Sequence, residues 1–571
     1  MDDYRDELSY WEQHVTADEA ACLKRLEEDG EALKDAFYRE LSFGTAGLRG
    51  IIGLGPNRMN VYTVGKATQG LADYLNAHFE QPSVAIARDS RNGGLEFVKT
   101  AAGVLAANGV RALVYDDIEP TPALSFAVRH HGCSAGINVT ASHNPAEYNG
   151  YKVYGPDGCQ ISGRAAAEIQ QAIDALDTFV DVKRVSVAEG LVAGLISWIG
   201  EDTVDAFLDA VAAQSVEPLD AEGDVPLRVV YTPLNGTGLS CVMRILERVG
   251  VNDVCLVEEQ AAPDGDFPTC PYPNPESRDA LERGLALCER VEPDLLIATD
   301  PDADRVGIAV AHDGRYELLS GNEVGILLLD YLARARAEKG EGLCGKVAVT
   351  TIVSSLMPDA QAADLGFQLR RVLTGFKNIG GQIALLEEAG QEDRFLFAYE
   401  ESYGYLSGTH VRDKDAVNAS MLIAQMARWH KRAGRDLVQA MEGLYERYGY
   451  YLNRTVSLSY PGSAGAEKMA ALMAGLRENP PTCIAGRPVA AFTDFSAGVP
   501  LPVVNRGEDA AQTLPKADVL SFELADGVKV LVRPSGTEPK VKAYLFAKAD
   551  TRADAEALLD ELEASARELL S

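Results

Sequence analysis

Ala135-Gly136-Ile137-Asn138-Val139-Thr140-Ala141-Ser142-His143-Asn144-Pro145 is the stretch on which the reading of this chain turns. Its first five residues, small or apolar, predict a short strand. Pro145 and the pair Asn149-Gly150 predict a break in regular structure just beyond it. Ser142 therefore stands in a loop at the end of a strand, where α/β sheets place their ligand sites. Taken alone, a hydroxyl in such a loop is most often a turn former. Its meaning depends on what else the chain carries.

Upstream, residues 3–42 predict helix, with Trp11, Val15, Cys22, Leu26, Leu33, Phe37 and Leu41 recurring at steps of four or seven. This reads as an extension packed on the first domain. Next comes Ser42-Phe43-Gly44-Thr45-Ala46-Gly47-Leu48-Arg49-Gly50, a Gly-rich stretch with one arginine. Glycine permits close backbone approach to a ligand, and a guanidinium pairs with oxyanions. Val61 to Phe79 predicts a helix, Ser83 to Arg88 a strand, Leu95 to Asn108 a helix and Val110 to Tyr115 a strand. Strands alternating with helices imply an α/β sheet with crossovers.

The theme recurs downstream. Leu227 to Tyr231 predicts a strand, and so does Asp294 to Thr299, which runs into Asp300-Pro301-Asp302-Ala303-Asp304-Arg305. A third round contains Lys346 to Val353, Gln368 to Val372 and Arg394 to Tyr399, the last followed by Glu400-Glu401-Ser402. After about residue 445 the style changes. Four strands (Arg454 to Tyr460, Val519 to Leu524, Val528 to Arg533, Val541 to Lys548) and a closing helix from Ala553 predict a smaller α+β domain, an antiparallel sheet with helices on one side. Leu476 to Pro488 and Ser496 to Thr513 read as loop-rich. With 571 residues and roughly 150 per domain, the expected division is 1–200, 201–315, 316–445 and 446–571.

Composition narrows the function. A formal net charge of −32 argues against a nucleic-acid partner or an anionic membrane surface. It leaves an anionic small molecule open, because distant surface charges are screened beyond about 8 Å. No apolar run reaches the roughly 18 residues of a membrane span, and the acidic N-terminus lacks a signal-peptide core. Nine cysteines scattered without a C-x-x-C pair predict reduced thiols in a cytoplasmic protein.

Several loops carry chemistry. In extended geometry, alternate side chains share a side, so Asp300, Asp302 and Asp304 are expected to converge on one hard cation such as Mg²⁺ or Ca²⁺. Arg305 adjoins them and can hold a phosphoryl oxygen. Thr374-Gly375-Phe376-Lys377 offers one lysine in a Gly loop. Glu400 and Ser402 are expected to face together and suit the hydroxyls of a sugar. Arg533-Pro534-Ser535-Gly536-Thr537-Glu538-Pro539-Lys540 combines an arginine fork with a turn whose N–H groups make an anion-binding concavity.

Together these motifs resemble the α-D-phosphohexomutase superfamily. The match rests on Thr140-Ala141-Ser142-His143-Asn144-Pro145, Asp300-Pro301-Asp302-Ala303-Asp304-Arg305, Glu400-Glu401-Ser402 and Arg533-Pro534-Ser535-Gly536-Thr537-Glu538-Pro539, in the family's order across nearly the whole chain. Thr45-Ala46-Gly47-Leu48-Arg49-Gly50, Tyr403-Gly404-Tyr405 and Val411-Arg412-Asp413-Lys414-Asp415 look like its phosphoglucomutase/phosphopentomutase branch. The resemblance implies three related α/β mixed-sheet domains and a TATA-binding-protein-like α+β fourth around a central cleft. It implies a phosphosugar mutase, acting on glucose 1-phosphate and glucose 6-phosphate, with Mg²⁺ and with glucose 1,6-bisphosphate as activator and intermediate. Carried over by position, Ser142 is the phosphoserine and Asp300, Asp302 and Asp304 hold the metal. Arg49, His143, Lys152 and Lys377 are active-site cations, with Lys152 a candidate general acid or base. Glu400 and Ser402 hold sugar hydroxyls, and Arg533, Ser535, Gly536 and Thr537 hold the distal phosphate. A phosphoserine brings about −1.5 to −2 charge, so one divalent ion beside three aspartates needs those cations. The expected partner is a small phosphosugar, with no nucleic acid and no membrane, and the chain is expected as a monomer or homodimer. A phosphopentomutase, a phosphomannomutase, a sugar-1,6-bisphosphate synthase, a metal-dependent phosphatase and a non-catalytic phosphosugar-binding regulator stand as alternatives.

Overall fold

The stretch that opens the sequence reading folds as expected: Ala135–Val139 is a fully buried strand and Ser142 follows in a loop. The computed structural model describes residues 3–44, 47–217, 225–460, 462–501, 503–505, 512–534 and 540–570. The described chain forms two compact units. One comprises residues up to Leu319 with Gly380–Glu388 and Tyr403–Arg428; the other comprises Ser320–Ile379, Ala389–Ser402 and Trp429 onward.

The first unit opens with helices α1 (Asp3–His14), α2 (Ala17–Leu26) and α3 (Gly30–Phe37). The single helical pattern is thus broken twice. Thr16 starts α2 with a capping box and Asp29 caps α3, so each polar break satisfies helix N–H groups that would otherwise lack partners. Leu8, Trp11, Leu23, Leu33 and Phe37 make a core of their own against Tyr62 and Phe179, which seats the extension on the first domain as expected.

A six-stranded mixed sheet follows: β1 (Gly47–Ile51), β2 (Ser83–Arg88), β3 (Arg111–Tyr115), β4 (Ala135–Val139), β5 (Tyr148–Tyr154) and β6 (Ile196–Ile199), in spatial order β1-β5-β4-β2-β3-β6. Strands β4, β2, β3 and β6 run parallel, while β5 is antiparallel to both β4 and β1. Helices α4 (Val61–His78), α5 (Gly94–Ala107) and α6 (Thr121–His130) cover it. Asn149-Gly150 does not break structure: both residues lie inside β5. Gly150 is needed there for close approach. A Cβ would stand 2.4 Å from the Thr140 carbonyl oxygen and 3.0 Å from that of Leu48.

The second sheet of this unit has order β11-β10-β9-β7-β8, from β7 (Arg228–Thr232), β8 (Asp253–Leu256), β9 (Leu295–Thr299), β10 (Val306–His312) and β11 (Arg315–Leu319). Its plan echoes the first sheet. Parallel β9 turns into antiparallel β10 as β4 turns into β5, and the two turns carry Asp300–Asp304 and Ser142. Each turn holds one left-handed non-glycine residue, Ser142 at φ 51° and Ala303 at φ 47°.

The other unit contains parallel strands β12 (Val347–Thr351), β13 (Gln368–Val372) and β14 (Phe395–Glu400). It also contains the predicted antiparallel sheet, longer than expected, built on Tyr450–Ser459, Arg487–Asp494, Leu520–Leu524, Lys529–Pro534 and Lys540–Ala549. Its apolar core includes residues of helices Gly462–Glu478 and Arg552–Leu569. The first of these helices and the strand Arg487–Asp494 overlap a segment expected to be loop-rich. Leu531, Tyr544 and Phe546 form a second core with Ile352 and Val353, which joins this sheet to the end of β12.

Candidate active site

The turn after β9 builds itself around Asp300. One carboxylate oxygen of Asp300 accepts the N–H groups of Asp304 (3.0 Å) and Arg305 (2.9 Å). Residues 300–305 are thus a tight turn, not an extended run, and Ala303 reverses the chain in the left-handed region. The expectation that the three aspartates converge holds, but the turn causes it and strand alternation does not. One carboxylate oxygen from each of Asp300, Asp302 and Asp304 lies within 4.8 Å of the others, and all three residues are buried.

The turn after β4 meets this cluster. Ser142 Oγ donates to the other oxygen of Asp300 at 2.7 Å, and the His143 Nδ1 lies 3.2 Å from the same hydroxyl. Lys152, on β5, places its ammonium 2.8 Å from Asp302 and 3.9 Å from Asp304. Thr121, the first residue of α6, donates its N–H to the Asp302 carbonyl and its hydroxyl to the Asp302 carboxylate, both at 2.8 Å. Arg305 pairs with Glu276 at 2.8 Å. Arg49, exposed on β1, donates to the Asn144 side chain at 3.1 Å.

Electrostatics separates the three acids. Burial is the strongest influence on each and disfavours charge. In Asp302, Lys152 and the Thr121 hydroxyl outweigh it and hold the carboxyl below its ordinary range. Asp300 is driven well above that range, first by burial and then by the charges of Asp302 and Asp304. A cation at the cluster would reverse the sign of that repulsion. His143 is pushed well below its ordinary value, first by burial and then by Arg305 and Arg49. Burial beside these cations disfavours the charged imidazole, and an added anion would offset that.

A metal fits these residues. Asp302 Oδ1 and Asp304 Oδ1 are buried and have no hydrogen-bond partner among the described residues. A buried carboxylate oxygen without a donor is costly unless a cation meets it, and an all-oxygen set suits Mg²⁺ rather than a soft metal.

Several further groups, to which no motif assigns a role, stand in the site. Lys414 Nζ lies 3.0 Å from Asp304 and 3.2 Å from Asp413, which also accepts from Tyr154 (3.0 Å). The alternating charges of Val411-Arg412-Asp413-Lys414-Asp415 were a signal for it. Asp89 and Arg91 follow β2 beside the Ser142 turn, and Thr140 lies between Val139 and Ser142.

In the other unit, Glu400 ends β14 and is buried. Glu401 accepts from Thr351 at 2.9 Å and from Ser354 at 3.4 Å, so it braces the loop after β12. Ser402 is half-buried. Burial lowers the ammonium of the half-buried Lys377. Arg533 donates to the Thr374 hydroxyl, which ties the end of its strand to the Thr374–Lys377 loop. Ser535, Gly536 and Thr537 lie outside the described residues, as do Thr45 and Ala46.

Models of the phosphoglucomutase/phosphomannomutase family match in chain order: alpha/beta/alpha domain I at 40–179, domain II at 205–314, domain III at 320–448 and the C-terminal domain at 496–565. The chain belongs to the phosphoglucomutase/phosphomannomutase family. The phosphoglucomutase of Staphylococcus epidermidis is 36% identical over 530 residues, covering 92% of this chain and 93% of its own. That of Staphylococcus saprophyticus is 35% identical over 513 residues, covering 89% and 90%. Two solved structures share the fold. A phosphoglucomutase/phosphomannomutase family protein of Burkholderia thailandensis has a TM-score of 0.66 at 18% identity, covering 92% of this chain and 97% of its own. Parafusin from Paramecium, a phosphoglucomutase in its open form, has a TM-score of 0.65 at 17% identity, covering 93% and 96%. Among the described residues no helix is long and apolar enough to cross a membrane.

Proposed function

We propose that this chain is a phosphosugar mutase that interconverts glucose 1-phosphate and glucose 6-phosphate through a phosphorylated Ser142. The observation that carries the reading is the Ser142 hydroxyl, 2.7 Å from Asp300 in a buried three-aspartate cluster flanked by Lys152 and Lys414. Staphylococcal relatives named phosphoglucomutase support the choice of sugar.

Asp300, Asp302 and Asp304 would hold Mg²⁺, which when bound supplies Lewis-acid stabilisation of a phosphoryl oxygen. The chain's own residues do the rest. Asp300 orients the Ser142 hydroxyl. Lys152 offers a proton donor or acceptor beside Asp302, and Lys414 adds positive charge on the far side of Asp304. Arg49, Arg305 and His143 answer the charge of the transferring group. Phosphoryl transfer depends mainly on such positioning and charge stabilisation. Ser142 is only 4% exposed, and exclusion of water at such a site would favour return of the group to sugar over hydrolysis.

Ser142 gives its phosphoryl group to the free hydroxyl of the sugar phosphate, making glucose 1,6-bisphosphate, and receives the other phosphoryl group back. Glu400 and Ser402 are assigned to the sugar hydroxyls. Lys377, Arg533, Ser535, Gly536 and Thr537 are assigned to the phosphate that is not in transfer. The domain limits 1–200, 201–315, 316–445 and 446–571 belong to the same reading. So does a cytoplasmic location, which the free thiols support. A coupled assay with glucose 1-phosphate and a trace of glucose 1,6-bisphosphate tests it. Glucose 6-phosphate must appear; its absence would sink the assignment. Mannose and ribose 1-phosphates in the same assay rank the phosphomannomutase and phosphopentomutase alternatives.

A further inference from the structure

Ser142 sits at φ 51°, a conformation that costs a non-glycine residue free energy unless its surroundings hold it there. Three residues hold it, and with it they form a closed ring. The Ser142 N–H donates to Thr140 Oγ1 at 2.8 Å, and that hydroxyl donates to Asp89 Oδ2 at 2.6 Å. Asp89 Oδ2 lies 3.4 Å from Arg91 Nε, and Arg91 Nη2 returns to the Ser142 carbonyl at 2.5 Å. Both ends of the serine's own backbone are thus tied, through Thr140 and Arg91, to one carboxylate. The guanidinium also donates to the carbonyls of Asn144, Pro145 (2.8 Å) and Tyr148 (2.9 Å), and its far face lies on the Phe267 ring at 5.0 Å. The side chains of Asp89 and Arg91 are fully buried.

With both terminal nitrogens spent on loop carbonyls and Nε turned to Asp89, Arg91 has no fork left for a substrate phosphate. We infer that Asp89, Arg91 and Thr140 are positioning residues whose ring, three hydrogen bonds closed by one ion pair, sets the backbone of Ser142 and so aims its Oγ at the three-aspartate cluster. The inference rests on the phosphoserine reading of Ser142 and goes beyond it by naming what places the nucleophile. None of Asp89, Thr140 and Arg91 hydrogen-bonds a carboxylate of the metal cluster, so breaking the ring should move the serine and leave cation binding intact. Thr140 is the place to break it, because valine keeps the shape of threonine and lacks only the hydroxyl.

The test compares wild type, T140V, T140S and S142A. Each is assayed for kcat and KM, for phosphorylation at Ser142 by mass spectrometry after incubation with glucose 1,6-bisphosphate, and for Mg²⁺ binding by calorimetry. A displacement of about 1 Å at a reacting atom costs on the order of 100-fold in rate. T140V should therefore lose about that factor in kcat and in the rate of Ser142 phosphorylation, at unchanged KM and Mg²⁺ affinity, and T140S should recover to within a few-fold. T140V with kcat close to wild type would overturn the inference, as would a loss matched by weakened Mg²⁺ binding or shared by T140S. Wild type that takes no phosphoryl group at Ser142, or S142A that turns over normally, would instead overturn the phosphoserine reading itself.

Discussion

At the scale of single residues, the site concentrates charge that no one group can balance. Ser142→Ala removes the acceptor of the phosphoryl group and leaves its shape. Turnover should fall by roughly 10⁶-fold, the scale seen when a covalent nucleophile is removed, while the circular dichroism spectrum stays that of wild type. Lys152→Met tests the balance differently. Asp302 would keep Thr121 but lose its only short ion pair among the described residues. Breaking a buried pair costs about 3–5 kcal/mol, and a bound cation can replace part of the lost charge. The melting temperature of this variant should drop further below wild type in EDTA than in millimolar Mg²⁺. An equal drop in both would argue against a cation at the cluster. In wild type itself, Mg²⁺ at 100 times its Kd should add about 2.7 kcal/mol of stability over EDTA, and Asp302→Asn with Asp304→Asn should remove that gain.

At the scale of elements, two turns at equivalent places in two sheets do the positioning. In each, a parallel strand reverses into its antiparallel neighbour through a left-handed residue, and the reversal brings Ser142 and Asp300 together. The glycine of β5 keeps this arrangement tight. Gly150→Ala would drive a methyl group against the Thr140 carbonyl and push β5 away from the turn. Overpacking of this kind costs about 1–3 kcal/mol, and Lys152, two residues along the strand, should move with it. A lowered urea midpoint together with reduced kcat is the expected result. Gly443→Ala is the control: it lies inside helix Leu437–Tyr448 with open space at its Cβ, and should gain up to about 1 kcal/mol. The ring of Asp89, Arg91 and Thr140 shows why a buried arginine need not be a ligand: both its terminal nitrogens can be used on backbone carbonyls.

At the scale of the whole molecule, stability should depend on pH through a group outside the site. Glu119 is pushed up to about 8, first by burial and then by the charges of Glu201 and Asp117. Folding thus raises its affinity for a proton above that of the unfolded chain. Its contribution is complete below the ordinary carboxylate range and is lost as pH rises through about 8. The urea midpoint of wild type should decline between about pH 5 and 9, in the same direction as the growing self-repulsion of a chain already at −32. Glu119→Gln removes only the first effect. Its profile should be flatter than wild type and cross above it at alkaline pH; parallel profiles would refute the assignment.

Sequence alone determined a good deal, because periodicity and turn chemistry are local. Strand β4, its polar loop, the alternation of strands and helices and the antiparallel C-terminal sheet were all legible. So were Ser142 and the Asp300, Asp302 and Asp304 turn as polar loops at strand ends, which the fold brings together, whereas Lys152 came only through the family resemblance. It misread Asn149-Gly150, whose composition is that of a turn; a glycine chosen for close approach inside a strand looks the same from its neighbours in sequence. It named neither the helix Gly462–Glu478 nor the strand Arg487–Asp494, whose ends overlap the segment Leu476 to Pro488 read as loop-rich, because packing against the sheet outweighs weak local preference. Tertiary structure alone decided that a turn, and not strand alternation, gathers the three carboxylates. It also decided that burial disfavours charge on His143, that Lys414 reaches Asp304, and that Asp89, Thr140 and Arg91 close on Ser142. Each of these depends on burial or on groups brought together by the sheets, and neither quantity exists until the chain has folded.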